Sequence, residues 1–230
     1  MAQRVSADRP LRLVVFDCDG TLVDSQGIIV RTMERVFDAA GLPRPDANAV
    51  RRVVGLSLPE AIAHLLPDLD APDHHELAGH YKRAFADMRA AGGDADESLY
   101  PGIAALLAAL DDAGYLMGVA TGKSSRGLAL TLDRYGLARY FITLQTADLH
   151  PSKPHPAMLR TAIAEAGAEP EQTVLIGDTR YDMAMARSAG AHGLGVTWGY
   201  HPGDELIEAG ARGLADRAAD VPALVAGLID

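Results

Sequence analysis

Three aspartates lie within a short segment that directly follows an apolar run. The segment FDCDGTLVDS, residues 16–25, places Asp17, Asp19 and Asp24 immediately after LRLVV. Burial penalises a charge that has no partner, so carboxylates at the end of a buried strand need a compensating group. Carboxylates in such a position can bind a metal, act as nucleophiles or carry protons.

Further polar residues follow other apolar runs along the chain. Thr121 and Gly122 come after YLMGVA, Lys153 comes a few residues after FITLQT, and Asp178 and Asp182 come after TVLIG. In a parallel α/β sheet, ligands bind beyond the carboxyl ends of the strands. We therefore expect these side chains to converge with the first aspartates, provided that the strands are neighbours.

This convergence predicts a site for a hard cation. Four carboxylates would share one small space: Asp17, Asp19, Asp178 and Asp182. Several carboxylates within a few ångströms cannot all stay ionised without compensation. Mg²⁺ prefers oxygen ligands and few protein contacts, and Lys153 would add a second positive charge.

The remaining groups suit a phosphate. Thr121 offers a hydroxyl, and Gly122 offers an unobstructed backbone N–H at a predicted helix start, where phosphates bind readily. Lys153 can neutralise a phosphate oxygen. A metal, a lysine and backbone donors around a carboxylate nucleophile make a phosphoryl-transfer site. Lys123 is expected to be solvated, because the dipole at a helix start disfavours a cation.

The elements that would position these residues alternate between strands and helices. Five apolar runs have the length and composition of buried strands, namely LRLVVF (11–16), YLMGVA (115–120), FITLQT (141–146), TVLIG (173–177) and HGLGVT (192–197). Helical segments with proline or serine near their starts and glycine at their ends lie between most of them. This alternation predicts an α/β fold with a Rossmann-like parallel sheet.

One long span interrupts the alternation. Residues 26–97 show helical spacing and no convincing strand, and the apolar positions of the first helix there are Ile29, Met33, Val36, Phe37 and Ala40. We predict an inserted, all-helical cap domain over 26–97 and a catalytic core over 1–25 and 98–230. The polar stretch AAGGDADES (90–98), which contains Gly92 and Gly93, is predicted to be the return hinge.

Composition limits the partners. The 230 residues carry a formal net charge of −10, which argues against nucleic acid as the main partner. The single cysteine, Cys18, fits a reducing compartment. Neither a signal peptide nor a membrane span is apparent. We expect a soluble cytoplasmic protein that acts on a small phosphorylated substrate, as a monomer or a homodimer.

Four motifs occur in order at the ends of predicted strands, and together they resemble a known family. They are DCDGTLVDS (17–25), ATGK (120–123), SKPHP (152–156) and IGDTRYD (176–182). The chain is similar to phosphatases of the haloacid dehalogenase (HAD) superfamily. VGLSLPEAI (54–62) and LYPGI (99–103) further resemble the phosphoglycolate phosphatase branch, whose helical cap follows the first motif.

The resemblance implies a role for each residue. Asp17 would be the nucleophile that becomes an aspartyl phosphate, and it would also bind Mg²⁺. Asp19 would serve as general acid and then general base, while its backbone carbonyl binds Mg²⁺. Asp178 would be the other metal ligand, and Asp182 would hold a metal-bound water or a neighbouring ligand. The phosphate would be held by Thr121, Gly122 and Lys153.

Other reactions of the superfamily remain open. Dehalogenases lack an aspartate equivalent to Asp19, and phosphonate hydrolases carry a cap lysine, for which Lys82 is the only counterpart here. Phosphosugar mutases carry an arginine in the cap loop, where this chain has Leu58, although Arg51 or Arg52 could substitute. A pyrophosphatase and a non-catalytic sensor of phosphorylated ligands are further alternatives.

The substrate depends on the cap. Gly55, Leu56 and Ser57 are predicted to form the loop that faces the site. The modest polarity of the cap favours a small phosphate ester such as 2-phosphoglycolate, hydrolysed with water as the acceptor.

Overall fold

The computed structural model describes residues 10–92 and 97–230. Within them lie eight strands, six of which form one sheet in the order β5-β4-β1-β6-β7-β8 with every pairing parallel. The strands are β1 (Leu13–Phe16), β2 (Val23–Asp24), β3 (Ser98–Leu99), β4 (Leu116–Thr121), β5 (Thr143–Thr146), β6 (Thr173–Gly177), β7 (His192–Val196) and β8 (Ala211–Ala215).

Ten α-helices connect these strands in the described part of the chain. They are α1 (Gln26–Ala39), α2 (Ala47–Val53), α3 (Leu58–Leu65), α4 (Ala71–Ala90), α5 (Ile103–Asp112), α6 (Ser125–Arg134), α7 (Ala157–Ala166), α8 (Arg180–Ala189), α9 (Gly203–Ala209) and α10 (Val221–Ile229). None of them combines the length and the hydropathy that a membrane crossing requires.

The central strand β1 is buried on both faces of the sheet. Because successive side chains of a strand point to opposite faces, Val14 and Phe16 join a cluster with residues of α5, α6 and α10. Leu13 and Val15 join the opposite cluster, with residues of α7 and α8. Helices therefore cover both faces, which is typical of a parallel sheet, and the predicted α/β Rossmann-like fold is confirmed.

The five predicted strands correspond to β1, β4, β5, β6 and β7, with boundaries that differ by at most two residues. The sequence pattern does not indicate the edge strand β8, because ARGLA contains no β-branched residue and is only partly buried. Nor does it indicate the two-residue strands β2 and β3. They pair antiparallel, with Val23 opposite Leu99 and Asp24 opposite Ser98.

The helices α1 to α4 lie between β2 and β3 and pack around a hydrophobic cluster of their own, which includes Met33, Phe37, Val50, Ile62 and Tyr81. Their chain leaves and rejoins the sheet domain through the paired strands β2 and β3. The helix α2 is not apparent in the sequence pattern. Asp46 begins this helix by accepting hydrogen bonds from the backbone N–H groups of Asn48 and Ala49.

Two details of the inserted segment bear on the sequence predictions. Of the predicted apolar face of α1, Met33, Val36 and Phe37 are buried and Ile29 packs against the same cluster partly buried, whereas Ala40 lies beyond the helix end. Of the predicted hinge, Gly92 is described and has a positive φ of 90°. Gly93 and residues 94–96 lie outside the described residues.

Candidate active site

Three adjacent strands of the sheet end at the site. The strands β4, β1 and β6 are neighbours, and they end beside Thr121, Asp17 and Asp178 respectively. Lys153 comes from the loop after β5, and Asp182 from the first turn of α8. The convergence predicted from the strand ends is therefore present for these five residues.

Three carboxylates form a buried cluster. Oxygen atoms of Asp17, Asp178 and Asp182 all lie within 4.8 Å of one another, and each residue is at most 1% exposed. Asp182 is fixed by its position at the start of α8. One of its oxygens accepts hydrogen bonds from the backbone N–H of Thr179 at 3.1 Å and from the Thr179 hydroxyl at 2.6 Å.

Lys153 is the cation inside this cluster. Its side chain is fully buried, and its Nζ lies 2.8 Å from Asp17 Oδ1 and 2.6 Å from Asp182 Oδ1. Burial alone would lower the pKa of Lys153, but Asp17 and Asp182 raise it above its ordinary value. The lysine therefore stays charged and partly offsets the carboxylates.

Lys153 contacts only one of the two carboxylate oxygens of Asp17, the candidate nucleophile. Asp17 Oδ2 is buried and has no hydrogen-bond partner in the described part of the chain. Burial raises the pKa of Asp17 to about 7; Lys153 opposes this increase and Asp182 adds to it. A carboxylate with one unpartnered buried oxygen is the group that a metal ion or an electrophile would satisfy.

Asp178 is held rigidly beside Asp17. The Thr21 hydroxyl donates to it at 2.8 Å, and the backbone N–H of Tyr200 donates at 2.9 Å. Glycines pack against both sides of this carboxylate, because a Cβ at Gly20 or Gly199 would collide with it. Gly20 also has a φ of 87°, which a residue with a side chain adopts only with strain.

The cluster fits a divalent cation. The cluster contains three carboxylates and one lysine. Burial raises the pKa of Asp178 well above its ordinary value, and the nearby carboxylates of Asp17 and Asp182 raise it further. A hard cation with oxygen ligands would offset this excess of negative charge. The unpartnered Oδ2 of Asp17 and the fixed carboxylate of Asp178 provide suitable oxygens.

Asp19 lies apart from this carboxylate cluster, which corrects the prediction that four carboxylates share one space. Its side chain accepts hydrogen bonds from the Ser25 hydroxyl and from Lys123 Nζ. The Tyr200 hydroxyl lies 3.3 Å from Ser25 Oγ and continues the network. Asp19 lies two residues beyond Asp17, after the end of the strand, so its carboxylate is directed to different partners.

Lys123 was predicted to be solvated, and this prediction is wrong. Its side chain is 9% exposed and forms an ion pair with Asp19. Burial would lower the pKa of Lys123, but Asp19 raises it above the ordinary value. The attraction of a neighbouring carboxylate outweighs the unfavourable field of the helix start. The Nζ also lies 5.8 Å from the ring centre of Phe85 in α4.

Thr121 and Gly122 form the floor beside Asp17. Thr121 is buried, and its hydroxyl accepts a hydrogen bond from the backbone N–H of Lys123 at 3.2 Å. A Cβ at Gly122 would come within 2.5 Å of the Leu56 carbonyl oxygen and 2.9 Å of the Gly55 carbonyl oxygen. The loop that contains Gly55 and Leu56 therefore lies directly on Gly122.

A cavity of about 960 Å³ opens between the inserted helices and the strand ends. Its floor includes Asp17, Asp19, Thr121, Gly122 and Lys123, and the loop Gly55, Leu56 and Ser57 lines it from the opposite side. The backbone N–H of Ser57 donates to the Ser152 hydroxyl at 2.7 Å, next to Lys153. The candidate catalytic residues thus open into a space of ligand size.

No role at the site was assigned from the sequence to Thr21, Ser25 or Tyr200. Thr21 and Ser25 lie in the first motif and could have been found from their position near Asp19. Tyr200 lies 22 residues beyond Asp178, and no spacing in the sequence indicated that its backbone would return to that carboxylate.

A buried cluster of carboxylates and a lysine at the strand ends of a parallel α/β core is an arrangement that can bind and transfer a phosphoryl group. A family model for haloacid dehalogenase-like hydrolases matches residues 14–196. The chain belongs to this family.

Relatives and solved structures agree with this assignment. The probable phosphatase IndB of Dickeya dadantii is 35% identical over 213 residues, covering 91% of each chain. A phosphoglycolate phosphatase of Vibrio parahaemolyticus is 27% identical, covering 94% of this chain and 96% of the relative. A haloacid dehalogenase-like hydrolase from Streptococcus pneumoniae superposes with a TM-score of 0.80 at 27% identity, covering 93% of this chain and 98% of that one. The predicted enzyme class, a HAD-family phosphatase, is confirmed.

The buried Asp17 gives a testable pH dependence of stability. The pKa of Asp17 is raised from 3.8 to about 7 in the folded protein, primarily by burial. Its contribution is therefore most favourable below the unfolded pKa and is lost as the pH rises through the folded pKa. In chelator, we expect the wild-type free energy of unfolding, relative to Asp17→Asn, to fall by up to roughly 4 kcal/mol between about pH 4 and pH 8. Denaturant titrations at several pH values measure the free energy of unfolding of both proteins. A difference between them that does not change with pH would contradict the raised pKa of Asp17.

Proposed function

We propose that the protein is a Mg²⁺-dependent phosphatase that hydrolyses a small phosphate monoester through an aspartyl-phosphate intermediate. The observation that carries this proposal is the unpartnered Oδ2 of Asp17, which is buried at the floor of the cavity. Lys153, fixed 2.8 Å from the other oxygen of Asp17, supplies positive charge beside the attacking group. The family match and the phosphatase names of the relatives support the same reaction.

Asp17 acts as the nucleophile. One of its carboxylate oxygens attacks phosphorus, the bond from phosphorus to the ester oxygen breaks, and the phosphoryl group is transferred to Asp17. The leaving oxygen takes a proton from Asp19, which lines the same cavity. Asp19 then accepts a proton from the water that attacks phosphorus, and the bond to Asp17 breaks to release phosphate.

The residues around these two aspartates position the reacting groups. Thr121, Gly122 and Lys153 bind the phosphoryl oxygens through a hydroxyl, a backbone N–H and an ammonium group. Ser25 and Lys123 hold the carboxylate of Asp19 at the cavity wall.

Asp17, Asp178 and the backbone carbonyl of Asp19 would hold Mg²⁺, which supplies charge neutralisation for the entering phosphate when it is bound. Asp182 holds Lys153 and the start of α8 in place, and it would orient the groups around the cation. Thr21 and Tyr200 fix the Asp178 carboxylate for the same purpose.

The inserted helices would serve as a cap, with the division between 26–97 and the core of 1–25 and 98–230 that the sequence suggests. Contacts between the two parts include the pairs Arg52 with Glu205, Ser57 with Ser152, and Lys82 with Asp148. Closure would exclude water during transfer, and opening would release phosphate. The cytoplasmic location and the choice between monomer and homodimer stay predictions.

The alternative reactions receive less support from these contacts. Arg51 donates to Gln26 and Asn48, and Arg52 pairs with Glu205, so both arginines that could serve a sugar-phosphate mutase are already engaged. Lys82, the cap lysine needed by a phosphonate hydrolase, pairs with Asp148. A dehalogenase would need neither Asp19 nor the carboxylate cluster.

The test is phosphate release from small phosphate esters, with 2-phosphoglycolate as the reference, in Mg²⁺ and in chelator. We expect release in Mg²⁺ that falls by at least about 100-fold in chelator and returns when Mg²⁺ is restored. Equal release in both conditions would contradict the metal role. The absence of release from every ester, by a folded protein whose melting temperature Mg²⁺ raises, would favour the non-catalytic sensor.

A further inference from the structure

The cavity above Asp17 is larger than a phosphate and a two-carbon acid require. Its volume of about 960 Å³ lies near the upper end of the roughly 300–1,000 Å³ range of pockets that enclose drug-sized ligands. The phosphate would occupy the polar floor formed by Asp17, Thr121 and Gly122, so most of the space lies on the side of the leaving group.

The walls of this space are mainly apolar. Helix α1 contributes two large aliphatic side chains, and α2, α3, α4 and the loop before α3 contribute the rest of the cap side. These residues are Ile29, Met33, Val50, Val53, Leu56, Leu58, Tyr81 and Phe85. From the core, Leu130 and Ala147 complete the apolar surface. Polar substrate groups placed against these walls would lose their hydration without gaining hydrogen bonds, which is costly.

An aromatic pair lies close to the catalytic floor. The rings of Tyr81 and Phe85 stack with centres 5.8 Å apart and planes 25° apart. The ring of Phe85 lies 5.8 Å from Lys123 Nζ, and Lys123 is paired with Asp19. Phe85 therefore lies near the position from which Asp19 would protonate the leaving oxygen, and its half-buried ring can pack against the leaving group.

Three of the cations that line the cavity are already paired, which makes them less suited to bind a second anion on the substrate. Lys82, Arg89 and Lys123 each pair with a carboxylate of the protein already. Arg83 and Arg126 also line the cavity, and both are exposed to solvent. A carboxylate on the leaving group would thus have to displace an existing ion pair, pair with an exposed arginine whose attraction is weakened by solvent, or remain among apolar side chains.

We propose that the leaving group is a neutral alcohol with an apolar, ring-bearing body that packs against Phe85 and the aliphatic wall of the cap. This inference rests on the proposed phosphatase function and specifies its substrate class. Such an alcohol is larger and less polar than glycolate. Burial of one aromatic ring contributes about 1.5–3 kcal/mol, which corresponds to roughly a 10- to 100-fold gain in kcat/KM.

The test compares three primary alkyl phosphates in Mg²⁺. These are 2-phenylethyl phosphate, ethyl phosphate, which lacks the ring, and 2-phosphoglycolate, which carries a carboxylate. We expect the phenylethyl ester to exceed each of the others in kcat/KM by at least about tenfold. The leaving alcohols of the first two esters are similarly basic, so their ratio reports binding of the ring.

A variant of Phe85 tests whether the ring of the substrate packs against the proposed wall. We expect Phe85→Leu to lower the ratio of kcat/KM between the phenylethyl and ethyl esters by about fivefold, with loss of aromatic packing. Leu144→Ala, at an exposed position on β5 away from the cavity, is the matched control and should keep the wild-type ratio. The wild-type ratio tests the proposal even if Phe85→Leu does not fold.

The outcomes separate the two proposals. Hydrolysis in which ethyl phosphate or 2-phosphoglycolate equals or exceeds the phenylethyl ester would overturn the apolar substrate class while the phosphatase function stands. An unchanged ratio in folded Phe85→Leu would overturn the assignment of the ring to this wall. Failure to hydrolyse any of the three esters would overturn the phosphatase function and this inference with it.

Discussion

The variant Asp17→Asn is expected to fold and bind phosphate esters but to lose at least about 10⁴-fold in turnover. Removal of a catalytic nucleophile costs this much or more in enzymes whose other groups remain in place. The fold is expected to survive because the neutral amide would remove one of three crowded buried charges, while Lys153 keeps its ion pair with Asp182. Phosphate release under single-turnover conditions, together with thermal unfolding, measures both parts.

The matched control is Asp24→Asn. Asp24 belongs to the same motif, and in the described part of the chain its carboxylate accepts hydrogen bonds from the nearby Gln26. We expect this variant to keep at least about half of the wild-type kcat, because local hydrogen bonds of this kind contribute little. Residual turnover by Asp17→Asn within tenfold of the wild type would rule out Asp17 as the nucleophile.

Lys153→Met is expected to have the largest effect on stability. The lysine is fully buried between Asp17 and Asp182, and methionine would leave their carboxylates without a cation in a dry environment. Removing one partner of a buried ion pair costs about 3–5 kcal/mol, which in a chain of this size lowers the melting temperature by roughly 10 °C. Calorimetry in chelator measures this loss without interference from bound metal.

Lys82→Met provides the control for the charge change. Lys82 also pairs with an aspartate, Asp148, but its side chain is 54% exposed, and exposed pairs contribute at most about 1 kcal/mol. We therefore expect a change in melting temperature of no more than about 3 °C. If Lys153→Met were as stable as Lys82→Met, the buried lysine would not be offsetting the carboxylates.

The location of the candidate site could be predicted from the sequence because each motif follows a strand that the sequence marks clearly. Asp17 follows LRLVV, Thr121 ends an apolar run, and Asp178 follows TVLIG. In a parallel sheet, residues at the carboxyl ends of adjacent strands must lie together. Local apolar patterns, together with this rule on adjacent parallel strands, were therefore sufficient to locate the site.

Other features depend on contacts that no local pattern contains. Lys123 was expected in solvent because only the helix field was considered, whereas its partner Asp19 comes from a different strand end. The edge strand β8 is only partly buried and lacks β-branched residues, so its strand character comes from pairing with β7. The Tyr200 backbone reaches Asp178 because β7 is the parallel neighbour of β6 and the loop after β7 passes beside the end of β6.

The contact at Gly122 has a consequence for how substrate preference can diverge. The cap loop meets the core there through the carbonyl oxygens of Gly55 and Leu56, which lie against a residue that has no side chain. Main chain touches main chain, so this fit does not depend on which side chains the cap carries. Substitutions at the partly buried Ile29 or Phe85 would reshape the walls and keep the backbone atoms that form this contact. The proposed cap would therefore close through backbone contacts while its side chains set substrate preference, so changes in the cap would alter the substrate and leave the catalytic floor the same.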